Sequence, residues 1–399
     1  MRVLQIIPSV SLVYGGPSQM VLGYSKALAD EGIEVTILTT HSNGDTGQPP
    51  LDVPLNVPIE QDGYTIRYFR CAPFRRYKFS AGLLMWLASH AHHYDVAHIH
   101  ALFSPVCSMA ATLARWKGLP YVLRPLGTLD PADLKKKRQL KRIYAAVLER
   151  ANLMGAAAMH FTSAQEAAIS ERFGSATRDI VLPLGVDVPR LPSSTESRGF
   201  CQSLLQAPSA EPSDRLTTLL FMSRIDPKKG LDLLIPALLQ LRQEGILFRF
   251  VLAGSNPQDP SYEQAIGDRI RSSPLANCTQ ITGFVTGDAK ANHLQCADVF
   301  VLPSYYENFG IAVAEAMAAS IPVVISDHVH ICRDVRKGNA GWVCSCNIQD
   351  LTQSLREALT QEAERQHRGQ NARQWAADHY SWRAIARQFI KVYQEIALQ

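Results

Sequence analysis

Two successive series of alternating apolar strands and helical runs, separated by a proline- and serine-rich stretch, predict an α/β protein of two doubly wound domains. In the first series, strand-like runs at 2–8, 34–40, 65–69, 96–99, 121–123 and 158–161 alternate with helical segments such as 17–30, and a polar loop spans 41–62. In the second, strands at 216–222, 248–252, 280–282, 299–302 and 322–325 alternate with helices, among them 231–244, 350–360 and 364–379. Strands separated by helices indicate parallel sheets covered on both faces. Residues 188–214 hold four prolines and few apolar pairs, as a linker does. The predicted organisation is a first domain over 1–190, a linker over 191–214, a second domain over 215–380 and a closing amphipathic helix over 381–399.

The chain of 399 residues is long enough for two full cores, and 46% hydrophobic with 19% charged residues is the balance of a soluble globular protein. A net charge of +4 permits an acidic partner without requiring one, and nothing points to nucleic acid. No apolar run approaches the roughly 18–20 residues of a spanning helix. The N-terminal run, Met1 to Pro8, reads as a first strand rather than a secretory signal, so a cytoplasmic location is expected. Cys107, Cys278 and Cys296 sit in apolar or small-residue settings, as reduced core cysteines do. Cys332, Cys344 and Cys346 lack the partner that would complete a zinc set, so no metal and no cofactor are expected.

Ligands of parallel sheets bind beyond the C-terminal ends of the strands. In the first half, Gly15 and Gly16 follow the first strand, where paired glycines allow close backbone approach. His98 and His100 share one sheet face by alternation, with His100 nearest the strand end; it either meets substrate or stays neutral in the core. Arg124 ends a strand and pairs with an acidic substrate or a structural ion. Lys135, Lys136, Lys137, Arg138, Lys141 and Arg142 form a basic helix, either a solvated face or a dock for anionic lipid head groups. Ser163 to Glu166 is a capping box, which makes Glu166 structural.

In the second half, Arg224 and Lys229 lie between the first strand and first helix of that domain. Together they can hold a diphosphate without a divalent cation. Further on, Glu307 and Glu315 flank a strand–glycine–helix junction with seven residues between them. Free N–H groups at the helix start make an anion site, with carboxylates on both sides to accept sugar hydroxyls.

These features together resemble the family-4 retaining glycosyltransferases, whose GT-B architecture has two facing Rossmann-like domains, an inter-domain cleft and a C-terminal helix crossing back to the first domain. The resemblance spans nearly the whole chain: Gly15-Gly16, the strand Asp95 to His100, Pro183-Leu184-Gly185-Val186-Asp187, Ser223-Arg224 with Lys229-Gly230, the E-x7-E pair Glu307/Glu315, and Tyr380-Ser381-Trp382. It implies that Arg224 and Lys229 bind the donor's diphosphate and that Glu307 contacts the transferred sugar. The backbone of Asn308, Phe309, Gly310 and Ile311 would hold its hydroxyls and phosphate, Glu315 would accept the ribose hydroxyls, and Gly15-Gly16 would close over the diphosphate. The implied activity is metal-independent, retaining transfer of a hexose from a UDP- or GDP-linked sugar to a glycan or a polyprenyl- or lipid-linked acceptor, in surface polysaccharide or glycolipid synthesis, at the cytoplasmic face of a membrane. His100 and Arg124 are the acceptor- or sugar-side candidates. A nucleotide-sugar epimerase or hydrolase, and a non-catalytic sugar-binding subunit, remain as alternatives. The chain departs from the family pattern at Leu126, where a histidine is frequent, and at Ser326-Asp327-His328-Val329-His330, where paired glycines and a glutamate are frequent.

Overall fold

A computed structural model describes residues 1–14, 16–44, 49–71, 78–135, 138–189, 216–257 and 259–398. The predicted linker 191–214, Gly15, Lys136 and Lys137 lie outside the described residues. The chain forms two compact units, Met1–Gly185 with Trp382–Gln399, and Val186–Ser381. The first therefore ends at Gly185 rather than 190. Residues just beyond it join the second unit, where the Val186 N–H donates to the Tyr380 carbonyl at 2.7 Å and Arg373 donates to the Pro189 carbonyl at 2.8 Å.

The first unit holds an eight-stranded sheet in the order β3-β4-β2-β1-β5-β6-β7-β8. Its strands are β1 Arg2–Ser9, β2 Glu34–Thr40, β3 Pro58–Gln61, β4 Tyr64–Phe69, β5 Val96–His100, β6 Tyr121–Arg124, β7 Ala158–Phe161 and β8 Asp179–Val181. All pairs are parallel except β3–β4. The second unit holds a parallel sheet in the order β11-β10-β9-β12-β13-β14, made of β9 Thr218–Met222, β10 Arg249–Ala253, β11 Thr279–Gly283, β12 Val299–Leu302, β13 Val323–Ser326 and β14 Gly341–Cys344. The fold is GT-B in class, with two Rossmann-like sheets.

Central strands such as β2, β9 and β12 are buried nearly throughout, because helices cover both sheet faces. Strand β3 falls inside the expected loop 41–62. It is a largely exposed antiparallel edge and carries no apolar alternation to betray it. Among the described residues Cys71, Cys107, Cys278, Cys332, Cys344 and Cys346 carry free thiols.

The helix Trp382–Ala397 buries Ile385, Ala386, Phe389, Tyr393 and Ile396, a stripe at helical spacing, in the core of the first unit. Each large side chain contributes about 2 kcal/mol of burial. Trp382 fits where glycines leave room: a Cβ on Gly185 would lie 2.1 Å from its ring, and one on Gly23 2.5 Å. The same helix completes a buried polar network. The Tyr393 hydroxyl meets His98 Nδ1 at 2.7 Å and Gln5 Nε2 at 3.4 Å, Gln5 Oε1 meets His100 Nε2 at 2.7 Å, and His160 Nε2 meets the Leu182 carbonyl at 2.9 Å.

Burial holds all three imidazoles below the ordinary histidine range, with Arg124 adding to the effect, and pushes His160 to about 3. They are neutral in the native state but take a proton near 6.5 when unfolded. For His160 the contribution to stability is thus present above about pH 6.5 and is lost as pH falls toward about 3, by up to about 1.4 kcal/mol per pH unit. The melting temperature of His160→Gln is expected to fall less steeply on acidification below pH 6.5 than that of the wild type. Parallel slopes contradict the assignment.

Candidate active site

The strand order of the second sheet reverses between β9 and β12, and ligands of such sheets bind where the loops leaving those two strands diverge. After β9, the Asp226 carboxylate caps the turn Pro227–Lys229 by accepting the Lys228 N–H at 3.1 Å. Gly230 then takes φ 74°, and a Cβ there would lie 2.0 Å from the Pro303 carbonyl oxygen. Only glycine permits this approach of the two loops. Tyr305 fastens it, its N–H donating to the Lys228 carbonyl at 2.9 Å and its hydroxyl to Asp232 at 2.7 Å. The result is a hydrogen-bonded ion pair between Lys229 Nζ and Glu307 Oε2, with side chains 12% and 21% exposed. Arg224 on the same loop is more open, its Nε 3.8 Å from Asp226.

Glu307 is held through its backbone: its N–H donates to the His328 carbonyl at 3.2 Å, and its carbonyl accepts the His330 N–H at 3.0 Å. Gly310, at φ 80°, turns the chain into the helix Ile311–Ala318. A Cβ there would crowd Glu307, Val313 and Val329 at 3.2 Å each. The N–H groups of Val313 and Ala314 bond back to the Gly310 carbonyl, so those of Ile311 and Ala312 precede the first helical bond. Phe309 is buried, with its ring edge-on to Tyr380, and offers only backbone to a ligand.

Just past the first turn of this helix, Glu315 pairs with Lys290 at 2.5 Å. Burial raises its carboxyl above the ordinary range, Lys290 opposes that shift, and the charge of Asp187 adds to it. Lys290 escaped sequence reasoning. It sits on the helix Gly287–Cys296, a polar segment without periodicity, and only its place beyond the end of β11 hinted at the ligand edge.

In the first unit Gly16 opens the helix Gly16–Asp30. His100 and Arg124 are drawn into the core rather than presented at the surface, 1% and 7% exposed. They line a small cavity with Met20, Tyr24 and His160, and Arg124 Nε and His100 Nδ1 have no hydrogen-bond partner there. Burial lowers the Arg124 guanidinium, and Glu166 opposes that. Glu166 itself accepts the Thr162 N–H at 2.8 Å while Ser163 accepts the Glu166 N–H at 3.0 Å, the structural role its capping box predicts.

Backbone strain marks the strand ends nearby: Ala101, Phe103 and Leu126 have φ of 91°, 57° and 56°. Buried Glu149, in a π-helical turn, secures that loop by accepting the Phe103 N–H at 2.7 Å and the Ser108 hydroxyl at 2.6 Å. No sequence pattern distinguished it, because π turns leave none.

Two family models match the chain: a glycosyl transferase 4-like domain over residues 15–185 and glycosyl transferases group 1 over residues 206–375. The fold and these matches define a glycosyltransferase. The chain belongs to the GT-B glycosyltransferases of the family-4 type. A D-inositol 3-phosphate glycosyltransferase of Kineococcus radiotolerans is 26% identical over 413 residues, 95% of this chain and 90% of that protein. A phosphatidyl-myo-inositol mannosyltransferase of Mycolicibacterium smegmatis is 27% identical, over 100% and 94%. Among solved structures, the sucrose-phosphate synthase of Thermosynechococcus elongatus superposes with a TM-score of 0.74 at 21% identity, covering 99% of each chain. Anabaena HepE in complex with UDP-glucose does so at 0.74 and 18%, covering 99% of this chain and 100% of that one.

The close approach at Gly230 makes a sharp prediction. Gly230→Ala should destabilise the second unit by about 2 kcal/mol or more, read as an earlier melting transition. A shift below about 0.5 kcal/mol contradicts the packing described.

Proposed function

We propose that this chain is a retaining hexosyltransferase that moves a hexose from a nucleotide-diphosphate sugar to a glycan or lipid-linked acceptor. The observation that carries the proposal is the pairing of Lys229 with Glu307, and of Lys290 with Glu315, around the start of the helix Ile311–Ala318. As the sugar–phosphate bond breaks, negative charge gathers on the leaving diphosphate and positive charge on the sugar ring. Arg224, Lys229 and the first-turn N–H groups meet the former, and one such donor is worth about 3–4 kcal/mol in the transition state. Two cationic side chains fill the place a divalent ion takes on many diphosphates, hence the metal-independent reading. Glu307 faces the developing positive charge without becoming a covalent nucleophile, and Glu315 accepts the ribose hydroxyls. The complex of HepE with UDP-glucose supports a UDP-linked donor, and a GDP-linked one fits the same diphosphate contacts. The phosphatidyl-myo-inositol mannosyltransferase favours a lipid-linked acceptor.

The test is acceptor-dependent release of nucleoside diphosphate. Glu307→Gln should lower turnover at least about a hundredfold with donor affinity within a few fold, whereas Lys229→Ala weakens both. Unchanged turnover in Glu307→Gln removes its role. Release without acceptor makes the chain a hydrolase.

A membrane surface is the second part of the proposal. Leu140, Ile143 and Val147, spaced three and four apart, are 63%, 64% and 70% exposed beside Lys135, Arg138 and Arg142. An exposed apolar stripe next to a basic one suits an anionic lipid interface. Among the described residues no helix is long and apolar enough to cross a membrane. Binding to anionic vesicles is expected to weaken with added salt and when Leu140, Ile143 and Val147 are changed to serine. Equal retention on neutral vesicles contradicts this docking.

A further inference from the structure

Strands β13 and β14 run side by side and end in register at Ser326 and Cys344. The loops leaving them gather three different donor atoms: a carboxylate oxygen of Asp327, an imidazole nitrogen of His328 and the Sγ of Cys346 lie within 4.8 Å of one another. Asp327 Oδ1 is shielded from solvent and has no hydrogen-bond partner, a condition that folded proteins seldom leave uncompensated. A sulfur, a nitrogen and an oxygen together do not suit magnesium or calcium, which take oxygen sets. They suit zinc, and three protein ligands leave a fourth tetrahedral position for water.

We propose that Asp327, His328 and Cys346 bind a divalent cation of the zinc class. Binding displaces the Cys346 thiol proton to solvent, and the thiolate exchanges its contact with the Ser304 carbonyl, now 3.4 Å, for the metal. The cation ties the loop after β13 to the loop after β14. That first loop also holds Glu307, through the His328 carbonyl and the His330 N–H. The site is therefore separate from the Glu307 carboxylate but shares its backbone support. It stands whether or not the transferase reading does.

The test uses the reduced, metal-stripped full-length chain without a histidine tag. Zinc is titrated in competition with a colorimetric chelator, and cobalt is substituted for spectroscopy. One zinc per chain is expected, and cobalt should give a thiolate-to-metal charge-transfer band in the near ultraviolet. Cys346→Ser should abolish the band, and Asp327→Asn and His328→Ala should each weaken zinc binding at least about tenfold, with circular dichroism unchanged. Cys332→Ser, whose thiol donates instead to the Asp327 carbonyl at 3.4 Å, should leave both intact. Absence of stoichiometric zinc, a band that survives Cys346→Ser, or a band lost in Cys332→Ser overturns the assignment.

Discussion

The approach of the loop after β9 to the loop after β12 is the constraint on which the second unit's site depends. Gly230 backs onto the Pro303 carbonyl at a distance no side chain tolerates. Tyr305 then locks the two loops by backbone and hydroxyl. With the loops fixed, Lys229 and Glu307 are bonded neighbours although far apart in sequence. Their pairing is more than a surface ion pair of small worth, because both side chains are largely out of solvent and sit on loops that Gly230 and Tyr305 fix together. It holds a cation and an anion side by side at the reversal of strand order, the place where open α/β sheets bind their ligands. The second pair, Lys290 with Glu315, repeats the device one turn along the following helix.

The first unit is organised differently. Its sheet buries a chain of polar contacts through Gln5, His98, His100 and His160, and the C-terminal helix closes that chain with Tyr393. An apolar stripe alone would let this helix slide; hydrogen bonds to defined partners fix its register. Neutral imidazoles are the economical choice there, since each can donate and accept without a buried charge. Arg124 is the exception, a buried guanidinium beside them in the same small cavity.

How much of this was legible in the sequence depended on where the determining contact lies. Strands β2, β7 and β12 were readable to the residue: β12 is a continuous apolar run between Asp298 and Pro303, and β2 and β7 are short, mainly apolar or β-branched stretches that a covered sheet buries. Strand β3 was not, being an exposed edge whose only constraint is its partner β4, and β14 begins at a glycine pressed against Val323. The spacing of Glu307 and Glu315 could be read as two carboxylates at a helix start, but their lysine partners differ in visibility. Lys229 sits beside Arg224 in a basic turn, whereas Lys290 is an isolated lysine on a polar helix. His98 and His100 were correctly placed on one sheet face, and their rings stack at 4.3 Å. That the face points into the core was decided by Tyr393, from the far end of the chain.

The central claim is that the cations at this strand reversal hold a nucleoside diphosphate. The most direct measurement is calorimetric titration of UDP against uridine, and of GDP against guanosine, with the wild type and an Arg224→Gln, Lys229→Gln double variant. The account predicts that one diphosphate binds at least about a hundredfold more tightly than its nucleoside in the wild type, and that this advantage largely disappears in the double variant. An undiminished diphosphate advantage in the double variant would contradict it.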